Sequence, residues 1–396
     1  ESGLTALSII YPIQLLMIAL AVGTGVGINT EMAYNLGIGK KKRSDDTAGI
    51  GTPLALVMWV LFAGVCFFLM PAYARMNTSS EEVIAMVVSY GRIVCVLSIG
   101  LFLESVWTKV HQAEGNMRMP MIAQIVGAVV NIVLDPFLIF GLCGLPKMGI
   151  AGAATATVVG QIAAAVIVMK GGCWKIPKLV VFPHQIKRIY KLGIPNILMQ
   201  SAYTFYIFGL NLLLATFSDQ AVTVLGLYYK WQAFFFIPLG AMQTCIVPVV
   251  SYNFAAGKYE RCKKTLKVAI GFALMMIGVV LFETIPGQML HVFSHDPEVI
   301  RIGVVAFRFI GISFVPLVSS LTFPVFFQAL GHAATSSILT IIRTVFLFIP
   351  LAYLFSRFGL NWFWLTFPVT DSITTLAGYL FYRKFNKSMP SVAVEA

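Results

Sequence analysis

One acid stands inside an apolar run with neighbours that could do chemistry: Asn131-Ile-Val-Leu-Asp135-Pro136. Asn131 and Asp135 are four residues apart, so on a helix they share one face. Pro136 has no N–H, which leaves the carbonyl of Ile132 without its helical donor. An amide oxygen, a backbone oxygen and a carboxylate then converge. Such a set suits a hard cation such as Na+, which prefers oxygen ligands. It also suits proton carriage, because burial penalises the charged form of a carboxylate. A carboxyl of this kind can gain a proton on one side and lose it on the other. The competing reading is a helix-kink Asp that only hydrogen-bonds a neighbouring helix. Ionisable groups inside apolar helices are expensive, so each marks a candidate functional position.

Three further residues are candidates for the same site. Tyr90 lies about a third of the way into the preceding apolar segment, and Thr155 and Thr157 lie in the run Gly149-Ile-Ala-Gly-Ala-Ala-Thr-Ala-Thr157. Small residues also let helices approach closely, so packing explains much of that run. In the second half of the chain, Lys230, Arg308, Arg343 and Asp371 interrupt apolar segments and are expected to be buried. Arg343 and Asp371 are each about ten residues from opposite ends of adjacent segments. At a rise of about 1.5 Å per residue, both reach mid-membrane depth, and an ion pair between them is expected. That pair reads either as a clamp or, with Gln124, Gln200 and Lys230, as part of a substrate cavity. The 31 Phe, 14 Tyr, 6 Trp and 17 Met supply adaptable apolar side chains for such a cavity.

The elements that must position these residues are membrane helices. Of 396 residues, 58% are hydrophobic and 11% charged, against about 25% charged in soluble domains. A bilayer can solvate that apolar surface. Eleven apolar segments long enough to span are expected, roughly at 4–30, 50–73, 83–108, 119–142, 149–170, 190–216, 220–250, 265–288, 299–328, 334–356 and 362–382. The net charge of +12 is not a nucleic-acid signature, because the basic residues alternate between linkers. Twenty Lys and Arg fall on one side, including Lys40–Arg43, the 170–191 linker, the 258–267 loop and the C-terminus. Four fall on the other: Arg75, Lys147, Arg301 and Arg357. By the positive-inside rule the middle linker and C-terminus are cytoplasmic. The six cysteines are scattered and show no zinc or disulfide spacing, and GxxxxGK[ST], GxSxG and HExxH are absent.

The chain also repeats. Tyr34-Asn35-x-x-x-Gly39-Lys40 returns as Tyr252-Asn253-x-x-x-Gly257-Lys258, an offset of 218, and Gln112-Ala113-x-Gly115 returns as Gln328-Ala329-x-Gly331, an offset of 216. Two matches in register point to a duplication. They predict an N-terminal lobe over 1–180, with its cytoplasmic linker, and a C-terminal lobe over 181–396. The same offset predicts one further helix ahead of Glu1, hence twelve in the parent protein and eleven in this chain. The halves are then parallel six-helix repeats, with substrate sites between them. The counterparts of Asn131 and Asp135 are Leu347 and Leu351, so the acid belongs to the first half alone.

These features together resemble the multidrug and toxin extrusion (MATE) family. The resemblance rests on Asn131 to Phe140, on the Gly149–Thr157 run with Gln161, and on Pro12-Ile-Gln with Gly23-Thr-Gly-Val-Gly27. Gly193-Ile-Pro195 and Tyr252-Asn253 before Gly257 add to it. It is closest to the DinF/MepA-type branch, whose coupling acids lie in the N-terminal lobe. An acid at 190–216 or 299–328, expected in the NorM-type branch, is lacking. The resemblance implies an all-α integral membrane protein with two lobes around a central cavity. It carries over Asp135 and Asn131 to the family's cation site, with Tyr90 and Thr157 as looser neighbours and an aspartate of the first helix as a further member. The function implied is secondary active efflux of amphipathic or cationic organic compounds in exchange for Na+ or H+. The alternative is a lipid or lipid-linked oligosaccharide flippase, which the cationic Lys230, Arg308 and Arg343 would suit. No cofactor, enzyme activity or nucleic-acid partner is expected. The expected setting is a bacterial plasma membrane, with the protein a multi-pass monomer in the bilayer.

Overall fold

The computed structural model describes residues 2–78, 80–142, 146–274 and 278–388. The described chain is helical throughout and contains no strand. It divides into two compact units, Glu1–Ser201 with Phe254–Gly257, and Ala202–Asn253 with Lys258–Ala396. In chain order the first carries α1 (Ser2–Gly37), α2 (Lys41–Asn77), α3 (Glu81–Val96), α4 (Ile99–Ala113), α5 (Arg118–Phe140), α6 (Ile150–Ile167) and the start of α7 (Phe182–Ala215). The second carries the end of α7, α8 (Asp219–Phe235), most of α9 (Ile237–Ala255), α10 (Tyr259–Leu274), α11 (Gly278–Thr284) and α12 (Pro286–His291). It continues with α13 (Pro297–Ala329), α14 (Ala333–Ile341), a π-helical stretch Ile342–Phe348, α15 (Ile349–Ser356), α16 (Leu360–Phe363) and α17 (Thr366–Ser388).

Eight helical stretches among the described residues are long and apolar enough to cross a membrane, and α8–α9, bent by 53°, could form a ninth. Eleven were expected. The segment expected at 265–288 falls on α10–α12 and includes residues 275–277, which lie outside the described residues. The last falls on α16 and α17, where Thr366, Thr370, Ser372, Thr374 and Thr375 dilute the apolar run and Asp371 adds a charge. Rows of exposed large side chains, such as Val60, Phe68, Ile132, Phe205 and Phe346, cover both units. A bilayer solvates such a surface where water would not.

The division lies inside α7 rather than in the linker before it, and packing explains why. Gly193 of α7 sits so close to α1 that a Cβ there would stand 2.5 Å from the carbonyl oxygen of Gly23. Glu31 of α1, almost fully buried, takes Arg188 of α7 at 3.0 Å. The same Glu31 accepts from Asn35 Nδ2 at 2.9 Å. The first half of α7 is thereby bound to the first unit.

Both halves of the sequence repeat fold into the same local device. Gly39 and Gly257 each stand at φ +73°, and each donates three residues back, to Leu36 and Phe254. Lys40 and Lys258 each donate five residues back at 2.8 Å, to Asn35 and Asn253. Gly115 and Gly331 close α4 and α13 in the same way, with bonds to Gln112 and Gln328. These are Schellman ends, in which a left-handed residue satisfies the last carbonyls. The repeated motifs are therefore helix stops at matching positions of two halves.

Candidate ion-coupling site

The first unit assembles its polar residues where α5 and α6 cross. A Cβ on Gly160 would lie 2.7 Å from the carbonyl oxygen of Gly127 and 3.1 Å from Cβ of Asn131. Only glycines permit that approach, and it sets Asn131 against α6 one turn from the crossing. Within the small-residue run, a Cβ on Gly152 would stand 2.5 Å from the carbonyl oxygen of Leu138, so that run serves close packing against α5. Thr157 on α6 donates its hydroxyl proton to the carbonyl of Ala153 at 2.9 Å. Its oxygen remains available to accept.

Tyr90 on α3 is buried, and its hydroxyl accepts from Gln14 Nε2 at 3.3 Å. That hydroxyl also lies close to Thr157 and Asp135. Four helices thus bring Gln14, Tyr90, Asp135 and Thr157 together. Asn131 lies one turn along α5 from Asp135. Thr155 turns instead to the carbonyl of Ala151 at 2.8 Å.

Two of these groups hold buried atoms with no partner: Asp135 Oδ1 and Asn131 Nδ2. Leaving such atoms bare in an apolar setting costs about 1–3 kcal/mol each. A cation at Asp135 Oδ1 removes that cost, and an amide flip at Asn131, one turn away, would offer an oxygen in place of its unpartnered Nδ2. Oxygens of Asp135, Asn131, Thr157 and Tyr90 fit a hard monovalent cation, and the carboxylate alone suffices for a proton.

A cavity of about 280 Å³ adjoins the site among α4, α5 and α6. Glu104, Gln124, Asn131, Thr157 and Gln161 give it a polar lining. Gln124, expected at a substrate cavity, is therefore on a cavity wall. Glu104 was not anticipated. The signal was present, since an acid inside an apolar segment is expensive, but the segment was expected to end at residue 108. The helix runs on to Ala113, which places Glu104 deep inside it.

The remaining candidates lie apart from this cluster. Gln200 donates to Asn196 at 2.8 Å, within its own helix. Arg343 and Asp371 form the expected ion pair in the second unit, Nε to Oδ1 at 2.8 Å, with side chains 7% and 0% exposed. Ser320 donates to the same oxygen at 3.0 Å. Lys230 and Arg308, expected to be buried, are exposed on α8 and α13. The Lys230 ammonium lies over the ring of Phe293, 5.2 Å from its centre, a cation–π contact.

The sequence profile of the MatE family matches residues 1–137 and 195–354, about three-quarters of the chain. The chain belongs to the MatE family. Among MatE relatives, the FAD transporter of Shewanella oneidensis is 22% identical over 399 residues, covering 95% of this chain and 86% of that one. The multidrug export protein MepA of Staphylococcus aureus is 23% identical over 387 residues, covering 95% and 84%. The fold matches a structure described as the outward-facing conformation of a multidrug resistance MATE family transporter, with TM-score 0.91 and 23% identity, over 98% of this chain and 89% of that one. This MatE protein is accordingly a multi-pass membrane transporter.

Proposed function

We propose that this MatE protein exports amphipathic, cationic organic compounds in exchange for Na+ or H+ moving inward. The observation that carries the reading is Asp135, whose Oδ1 has no partner, beside the Tyr90–Thr157 pair in a membrane-embedded unit. Asp371 also has a bare oxygen, Oδ2, but its Oδ1 is neutralised by Arg343, whereas no Arg or Lys lies within ion-pair distance of Asp135 among the described residues. Multidrug export by relatives such as MepA supports the substrate class. The basic bias of the linkers supports a cytoplasmic C-terminus in a bacterial plasma membrane.

The test is efflux of an ethidium-type dye from liposomes holding the purified protein, under imposed Na+ or H+ gradients. Wild type should export under one gradient, which names the ion, and Asp135→Asn should lose the response. A flavin dinucleotide deserves a place in the same assay, because one relative is an FAD transporter. If FAD moves and the dye does not, the substrate is an anionic nucleotide and the cationic-drug reading fails. If neither moves under either gradient, lipid flipping becomes the leading reading.

A further inference from the structure

Glu104 is a second carboxylate inside the first unit, 6% exposed. Its Oε1 accepts from Thr108 Oγ1 and from Gln124 Nε2, both at 2.8 Å. Those are neutral donors. No ion pair within 4.0 Å involves Glu104 among the described residues. Lys109 attracts it from along the same helix, but its ammonium donates to Gln112 at 2.9 Å. A buried carboxylate with neutral donors alone keeps most of the cost of its charge, and a cation is the group that removes it.

The cavity supplies a route for that cation. Its wall includes Asn131 and Thr157 at one part and Glu104 with Gln124 at another. Gln161, also on the wall, holds a buried Oε1 with no partner. That oxygen is an unpartnered acceptor in the cavity that Glu104 and Asn131 also line. The space is polar and large enough for several water molecules. Along α5, Gln124 precedes Asn131 by seven residues, about 10 Å toward the Arg118 end. Thr108, one turn beyond Glu104, continues the polar line toward the end of α4.

We propose that Glu104 is a second cation-coupling carboxylate, which takes Na+ or H+ from the Asp135–Asn131 site through the Gln161-lined cavity and releases it toward the α4–α5 end of the unit. The step is charge-neutral: the cation leaves one carboxylate and neutralises the other. As part of a transport cycle this rests on the exchange reading above; as a binding site it does not.

Two measurements separate those claims. Infrared difference spectra of the purified protein, on acidification without Na+ and on Na+ addition at fixed alkaline pH, report carboxyl groups that change state. Two contributions are expected, one removed by Asp135→Asn and the other by Glu104→Gln, and the effective trigger names the cation. In liposomes, Glu104→Gln should slow gradient-driven efflux by at least about tenfold, the loss typical when a supporting group of a cation site is removed. Glu104→Asp, which keeps the charge, should recover most of it. Spectra in which Glu104→Gln removes nothing overturn the proposal, even if efflux falls, because the residue is then only packing. If wild type moves no substrate under either gradient, the export reading fails. Two spectral contributions would still support a cation at Glu104, and a single one would overturn it.

Discussion

Asp371 of the second unit and the Asp135 and Glu104 carboxylates of the first are held in opposite ways, while Glu31 of the first unit is ion-paired with Arg188. In the second, Asp371 meets Arg343 at 2.8 Å and Ser320 at 3.0 Å, and the guanidinium lies 4.8 Å from the centre of the Phe348 ring. The pair sits beside the stacked Tyr206 and Phe348 rings and is closed off from outside. In the first unit, Asp135 and Glu104 have no Arg or Lys within ion-pair distance among the described residues, and Glu104 lines the polar cavity that Asn131, one turn from Asp135, also lines. An acid neutralised by a fixed cation is committed. An acid without an ion-pair partner is free to exchange a mobile one. The contrast separates a clamp from a site using position and partners alone, where burial by itself would favour the clamp.

The comparison breaks most visibly at the clamp. Arg343→Met should cost about 3–5 kcal/mol, because Asp371 is left charged and buried without its partner. The double variant Arg343→Met with Asp371→Leu should recover most of that, since an apolar pair of similar volume avoids the desolvation of both ions. Thermal unfolding of the detergent-purified protein reads both. If the double variant is as unstable as the single one, the pair has a role beyond neutralising itself, and the substrate-cavity reading of Arg343 and Asp371 returns.

A smaller effect is expected at the α5–α6 crossing. Gly160→Ala would place a Cβ 2.7 Å from the Gly127 carbonyl oxygen, which is backbone and can yield only if the helices part. Overpacking of this kind costs about 1–3 kcal/mol. The shift should also weaken the Asp135 site, since Asn131 is set by the same crossing. The Glu31–Arg188 pair should rank next. Arg188 is partly exposed, 39% by its side chain, so solvent screens the pair and Arg188→Gln should cost about 1 kcal/mol or less. A larger loss there would mean that α7 depends on this contact more than on its glycine packing.

Much of this was legible in the sequence where one residue type contradicts its surroundings. Asp135 in an apolar run, the Arg343–Asp371 depth match and the repeated helix stops all announce themselves by position along the chain. Which way a side chain faces does not. Lys230 was expected to be buried because it interrupts an apolar segment, yet Tyr228, two residues earlier, points into the core and leaves Lys230 exposed. Arg308 fails for the same reason. Glu104 was lost to a boundary: ending the segment five residues early made a deep acid look like one near a helix end. The division inside α7 was hidden because it depends on close glycine contacts with α1, and no local pattern encodes a distant partner.

The smallest effect on stability is expected at Asp135 itself, and it is the most telling. Asp135 Oδ1 has no partner, so Asp135→Asn removes no hydrogen bond to that atom and exchanges a costly carboxylate for a neutral amide of the same shape. Unfolding should shift by about 0.5 kcal/mol or less, in either direction. Asp371→Asn, the same chemical change in the other unit, strands Arg343 and should cost several times more. Run side by side, the two substitutions should give opposite patterns: Asp135→Asn folded but unresponsive to the gradient, Asp371→Asn unstable in proportion to its loss of transport. If Asp135→Asn also unfolds early, the acid is part of the scaffold and the kink reading of Asn131–Pro136 takes its place.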